Sequence, residues 1–286
     1  KQAGIESLAV CLLHAYRNPC HELELRELAQ PFGFRNVSLS HCCSPLIRLI
    51  PRASTTVLDA YLNPVLRDYV AEIESSLGSQ ATLLMMTSSG GLVPAAQFSG
   101  KDSVLSGPAG GVVGFSAVAR SAGHHRAIGF DMGGTSTDVA RLDGTVALQN
   151  ETRKAGVVLQ TPTLAIETVA AGGGSICWFD GQRLLVGPQS AGADPGPACY
   201  GRGGPLTITD MNVWLRRIRA ELFPLPLQVS MVGQALEALA ATIQQATGRT
   251  YLPDELAAAY LQIANAHIAG AMAAVSIRQG MDPREY

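Results

Sequence analysis

The 286 residues are 47% apolar and only 15% charged, against roughly 25% charged in an average soluble chain, which excludes disorder and coiled coil. With 21 basic residues against 23 acidic, the net charge of -2 leaves no electrostatic footprint for nucleic acid or an anionic membrane surface. The six cysteines show neither CxxC pairs nor a regular disulfide framework, so a reducing, cytoplasmic compartment is expected.

In chain order, Ser7–Leu13 reads as a strand, Glu22–Gln30 as a helix and Val37–Leu39 as a strand, which is α/β texture. From Thr55 to Leu77, apolar residues such as Val57, Leu58, Tyr61, Leu62 and Val65 fall at helical spacing, carried past Pro64. Thr82–Thr87 is a short strand running into a Ser-Ser-Gly-Gly turn, and a helix is expected from Ser106 with Pro108 in its first turn. A core strand over Ala127–Asp131 leads into a glycine turn and a hairpin turning at Asp143 and Gly144. Polar and apolar residues alternate through Val146–Gln160, and strands around Cys177 and Leu184 flank an Asp180-Gly181 turn. Two helices close the chain, Val229–Thr247 and Pro253–Gln279. Within the second, 22 residues from Leu256 to Ile277 carry no charge, enough to cross a bilayer. Gln262, Asn265, His267, Ser276 and many alanines favour a buried soluble helix instead.

The sharpest motif is Phe130–Asp138, FDMGGTSTD. Asp131 ends a strand, Gly133 and Gly134 permit a tight turn, and Thr135, Ser136 and Thr137 offer hydroxyls and backbone amides. Successive N–H groups with no side chain in the way form a concave anion site, so this turn is a candidate phosphate cradle. Asp131 and Asp138 would hold a hydrated magnesium ion or position water, because Mg²⁺ keeps several waters and uses one or two carboxylates. The alternative is a hairpin turn decorated with polar residues. The segment lacks the Gly-Lys-Ser/Thr ending of a Walker loop and the GxGxxG fingerprint.

Thr168–Asp210 is a second glycine-rich concentration, and ordering so many glycines costs entropy that a plain spacer would not repay. Its polar candidates are Ser175, Ser190, Asp194, Cys199, Tyr200 and Asp210, and Gly173 with Ser175, Ser190, Asp194 and Asp210 forms a candidate substrate loop. Asp210 also suits an N-cap for a helix beginning at Met211. The six histidines, including the adjacent His124 and His125, show no HExxH or other compact metal-ligand spacing.

Five ordered blocks carry a resemblance: SSGGL at Ser88–Leu92, SGPAGGVVG at Ser106–Gly114, GFDMGGTSTDVA at Gly129–Ala140, TVAAGGGS at Thr168–Ser175 and SAGADPGPACYGRGG at Ser190–Gly204. Together they resemble the hydantoinase A/5-oxoprolinase family, including N-methylhydantoinase A. The resemblance implies a partial actin-like ATPase (RNase H-like) superfold, a mixed sheet with flanking helices. It assigns 1–52 to the end of an amino-terminal hydantoinase/oxoprolinase region and 53–286 to a truncated main domain. It implies ATP-dependent opening of a cyclic amide, of hydantoin or 5-oxoproline type, by phosphoryl activation of the amide, or in carboxylase relatives the activation of a ketone.

By the same resemblance Asp131, Gly133, Gly134, Thr135, Thr137 and Asp138 match the second phosphate loop of such ATPases, with Asp131 the catalytic or water-positioning candidate and ATP with Mg²⁺ as cofactors. Just one such block is present, so an amino-terminal lobe and a hydantoinase B-type subunit or domain are expected partners, and the chain reads as an internal portion of a longer one. Gln189 stands where relatives usually carry Glu. Two rival readings are a catalytically silent nucleotide-binding piece and a sugar or acid kinase; the Ser190–Gly204 block argues against the kinase.

Overall fold

The computed structural model describes residues 4–78, 81–154 and 156–286. They fall into two compact units, one formed by 1–125 with 142–165 and the other by 126–141 with 166–286. Residues 1–3 of the expected amino-terminal region, and Ala155 within the expected alternating stretch, lie outside the described residues.

In the first unit, β1 (Ser7–Val10) and β2 (Asn36–Leu39) pair in parallel, joined through α1 (Cys20–Ala29). The short α2 (Ser40–Cys43) leads to α3, which runs Leu49–Leu77 rather than starting at Thr55. Pro51 sits in its first turn, where a missing N–H breaks no helical bond. Pro64, inside the helix, has no N–H for the carbonyl of Ala60, and Ser7 Oγ donates to that oxygen at 2.5 Å instead. A polar network fixes the neighbouring elements. Asp59 accepts from Ser38 Oγ at 2.6 Å and from Asn63 Nδ2 at 2.9 Å, while Asn63 Oδ1 accepts from Gly100 N at 2.7 Å. Gly100 opens α4 (Gly100–Ser103), and a Cβ there would lie 2.8 Å from the Asp59 carbonyl, so only glycine allows this approach. The hairpin of β3 (Leu84–Met86) and β4 (Leu92–Pro94) and the helix α5 (Ser106–Ser121) complete the main elements. The stretch 146–160 breaks into strands of two or three residues.

In the second unit, β5 (Arg126–Met132), β6 (Thr137–Asp143) and β7 (Ile166–Val169) form a sheet in the order β7-β6-β5. β8 (Ser175–Phe179) and β9 (Leu184–Ser190) form an antiparallel pair around the expected Asp180-Gly181 turn. α6 (Ile208–Trp214), α7 (Val229–Thr247) and α8 (Pro253–Val275) follow. The core gathers Val186, Cys199, Ile208, Met211, Leu236, Leu256 and Tyr260. Further along α8, Ala271 and Val275 bury Val139 of β6 with Val169 packed alongside, so one helix serves both the core and the sheet. Its uncharged run is thus occupied by packing, and among the described residues no helix is long and apolar enough to cross a membrane.

Candidate functional site

β5 ends at Met132 and β6 begins at Thr137, which leaves Gly133–Ser136 as the connecting turn. So short a connection joins antiparallel strands. Gly133 N donates to Ser136 O at 2.9 Å, and counting back from that bond sets Asp131 across from Asp138 on one face. Asp131, Gly133, Gly134 and Thr135 are exposed, Ser136 and Asp138 half-buried, and Thr137 buried.

The buried hydroxyl of Thr137 donates to Ala171 O at 2.5 Å, and Asp138 Oδ1 accepts from Thr168 Oγ1, its neighbour in β7, at 2.7 Å. Among the described residues, neither the Asp131 carboxylate nor the N–H groups of Gly134 and Thr135 have a protein partner. A Cβ on Gly134 would meet nothing within 4 Å, so the space over Gly134 is open.

A second glycine segment braces the turn from behind. Gly173 N donates to Gly133 O at 3.0 Å and Gly174 N to Gly134 O at 2.6 Å. A Cβ on Gly172 would stand 2.6 Å from Thr135 N, and one on Gly174 would stand 2.9 Å from Gly134 O. Backbone therefore lies on backbone, which explains the glycines of TVAAGGGS. The brace has its own anchors. Ser175 Oγ accepts from Gly172 N at 2.8 Å, and Gly173 O accepts from Thr209 N at 2.7 Å and Thr209 Oγ1 at 2.9 Å.

Asp210 holds that anchor in place. The helix starts at Ile208, three residues before the expected Met211, with Thr207 as its N-cap and Asp210 as the acidic member of a capping box. Its fully buried carboxylate accepts from Cys199 N at 2.7 Å, Ala198 N at 3.1 Å, Thr207 N at 2.7 Å and Thr207 Oγ1 at 2.9 Å. The Thr207-x-x-Asp210 spacing carried this signal in the sequence. Thr209 and Thr168 were not among the expected site residues, because their partners are distant in sequence. Of the other candidates, Ser190 Oγ accepts from Gly192 N at 3.2 Å and Asp194 is exposed. Cys199 is fully buried, and burial, with Asp210 beside it, pushes its thiol far above the ordinary range. That chemistry suits packing, not nucleophilic attack.

The donor set fits a phosphate with a hydrated divalent cation. Two free N–H groups and a free hydroxyl belong to the exposed residues Gly134 and Thr135, and two carboxylates share the adjacent face. Among the described residues no group of three or more His, Cys, Asp or Glu could enclose a bare ion, so a cation here would keep most of its water.

The hydantoinase/oxoprolinase family model matches residues 52–286. 5-Oxoprolinase 1 of Arabidopsis thaliana is 43% identical over 92% of this chain and 22% of its own length. The structure of the ATP-dependent caprolactamase from Pseudomonas jessenii aligns with a TM-score of 0.80 at 30% identity, covering 99% of this chain and 42% of that one. Acetone carboxylase in a nucleotide-free structure, from work on ATP-dependent acetone carboxylation, aligns with a TM-score of 0.80 at 25% identity over 100% of this chain and 42% of that one. The chain spans about a fifth of the length of the first curated relatives it matches. The fold is thus an α/β fold of the actin-like ATPase kind, present in part. The chain belongs to the hydantoinase/oxoprolinase family.

Proposed function

We propose that this chain supplies a phosphate-binding turn of an ATP-dependent hydrolase that opens a cyclic amide such as a hydantoin or 5-oxoproline. The observation that carries this reading is the open Gly133–Thr135 turn, with unpartnered N–H groups and a glycine brace behind it. ATP, when bound, supplies the phosphoryl group that makes an unreactive amide carbonyl electrophilic enough for water. Gly134 N, Thr135 N and Thr135 Oγ1 donate to phosphate oxygens and hold them still as charge shifts. Asp131 binds magnesium-held water or orients the attacking one, and Asp138, steadied by Thr168, supports the same hydrated cation. Gly133, Ser136 and Thr137 shape the turn. The segment bearing Gly173, Ser190 and Asp194, anchored from within by the buried Ser175 and Asp210, borders the substrate.

Relatives several times longer support completion of the nucleotide site by a second lobe. A hydantoinase B-type subunit or domain is the proposed further partner, in keeping with the relative named caprolactamase subunit alpha. The use of ATP suits a cytoplasmic setting. A second reading, ATP-dependent carboxylation of a ketone, draws on the likeness to acetone carboxylase.

Amide NMR of the labelled chain titrated with Mg·ATP, and separately with Mg·pyrophosphate, tests the turn. Saturable shifts at Gly133–Thr137 and Gly172–Gly174, weakened at least tenfold by Asp131→Ala, are expected; a folded chain with no shifts there refutes phosphate binding by this turn without the second lobe. Ring opening of hydantoin, 5-oxoproline and caprolactam, assayed against acetone with bicarbonate in the chain joined to the further regions its relatives carry, decides between the two reactions.

A further inference from the structure

The first unit holds a line of side chains that the phosphate turn does not use. Glu22, fully buried on α1, accepts from Leu12 N at 2.9 Å, Ser40 Oγ at 2.6 Å, His41 N at 3.1 Å and His41 Nδ1 at 2.7 Å. The fully buried Arg52 reaches Ser40 Oγ from the other side through Nε at 3.1 Å. Burial alone would raise the Glu22 pKa, but these hydrogen bonds outweigh it and hold it below the ordinary value. An ionised carboxylate only accepts, so the Nδ1 hydrogen bond is donated by His41, and in the neutral ring that bond fixes the tautomer with Nε2 as the acceptor. Cys42 Sγ lies 3.3 Å from that nitrogen. Its residue is exposed, and the His41 side chain keeps 17% of its surface open.

The geometry points to Cys42 as a nucleophilic thiol assisted by His41 and oriented by Glu22, a site of covalent modification by small uncharged hydroperoxides. A nucleophile within reach of a base, with the base held by a third group, is the arrangement that activates such side chains. In the step, Sγ attacks one peroxide oxygen, an S–O bond forms and the O–O bond breaks. Sulfur is oxidised to the sulfenic acid and the peroxide is reduced; the thiol proton passes to His41 Nε2 and on to the departing oxygen, which with hydrogen peroxide leaves as water. Burial pushes the Cys42 pKa up, and Glu22 and Asp59 add to this against Arg26 and Lys101. Reactivity therefore depends on proton transfer to His41 rather than on a standing thiolate. Cys11 and Cys20 are half-buried and have no imidazole partner among the described residues, which makes them internal references.

The reduced chain is treated with limiting hydrogen peroxide in the presence of dimedone, and labelling is read site by site by mass spectrometry. Cys42 should label at least tenfold faster than Cys20 in the same molecule. His41→Gln should bring it to the Cys20 rate while leaving Cys20 unchanged. In urea-unfolded chain the ratio should fall to about one, a reading that needs no variant to fold. A folded-state ratio near one, a ratio that persists after unfolding, or a rate at Cys42 indifferent to His41→Gln overturns the proposal.

Discussion

Replacing Asp210 by alanine and by asparagine measures what one buried carboxylate holds together. In Asp210→Ala, Cys199 N, Thr207 N and Thr207 Oγ1 lose their acceptor in a site closed to water, whereas Ala198 N keeps Pro205 O at 3.0 Å. A buried donor left unsatisfied costs about 1–3 kcal/mol. Three such donors sharing one site do not add fully, so we expect about 4 kcal/mol. Asparagine keeps one oxygen. Set at the Oδ2 position, it retains Ala198 N, Thr207 N and Thr207 Oγ1 and abandons Cys199 N alone, for about 2 kcal/mol. With a urea slope of about 2 kcal/mol/M, the midpoints should fall by about 2 M for alanine and about 1 M for asparagine. Urea unfolding followed by circular dichroism, with slopes compared, is the assay. Equal shifts for the two variants, or an alanine shift below about 0.5 M, would refute the acceptor count on which the reasoning rests.

Gly172→Ala drives a Cβ to 2.6 Å from Thr135 N, a backbone atom that cannot rotate away. A cost of about 1–3 kcal/mol is expected, with faster amide exchange at Gly133, Gly173 and Gly174, whose N–H groups are bonded; unchanged exchange there would show that the brace does not hold the turn. Arg216 has φ +55° at the end of α6, where Arg216 N bonds Val213 O and Arg217 N bonds Asn212 O, a Schellman closure that favours glycine. Arg216→Gly should stabilise by up to about 1 kcal/mol, read as a rise in Tm, and a fall in Tm would contradict the strain argument. Because the folded Glu22 pKa lies below its ordinary 4.5, its contribution is present above that pH and is lost as pH falls through the folded value. Glu22→Gln should flatten the acid limb of a stability–pH profile; an unchanged limb assigns the acid sensitivity elsewhere.

Elements with a strong period were legible in the sequence. α7 spans Val229–Thr247 as the pattern implied, because nineteen residues repeat one apolar face and Gly248 ends them with φ +73°. α3 begins six residues earlier than expected, since Arg48 at its N-cap position makes no side-chain cap bond and leaves the start unmarked. α6 begins three residues before the Met211 start that an Asp210 cap implies, because Thr207 caps and Asp210 closes the box. The site divides in the same way. The Asp131–Asp138 block announces a turn by its glycines, which are local. The brace joins Gly133 to Gly173 and Gly173 to Thr209 across about forty residues each, and no periodicity encodes such a meeting.

The proline inside α3 does more than interrupt a ladder of bonds. By leaving the Ala60 oxygen open, it creates a keyhole on the long helix, and the Ser7 hydroxyl is the key. Sliding β1 by one helical turn, about 5.4 Å, would leave the Ala60 oxygen without this donor and the Ser7 proton without this acceptor. A residue usually read as a source of bending thus acts as a position marker, selecting one docking of the first strand from the several that apolar packing alone would tolerate.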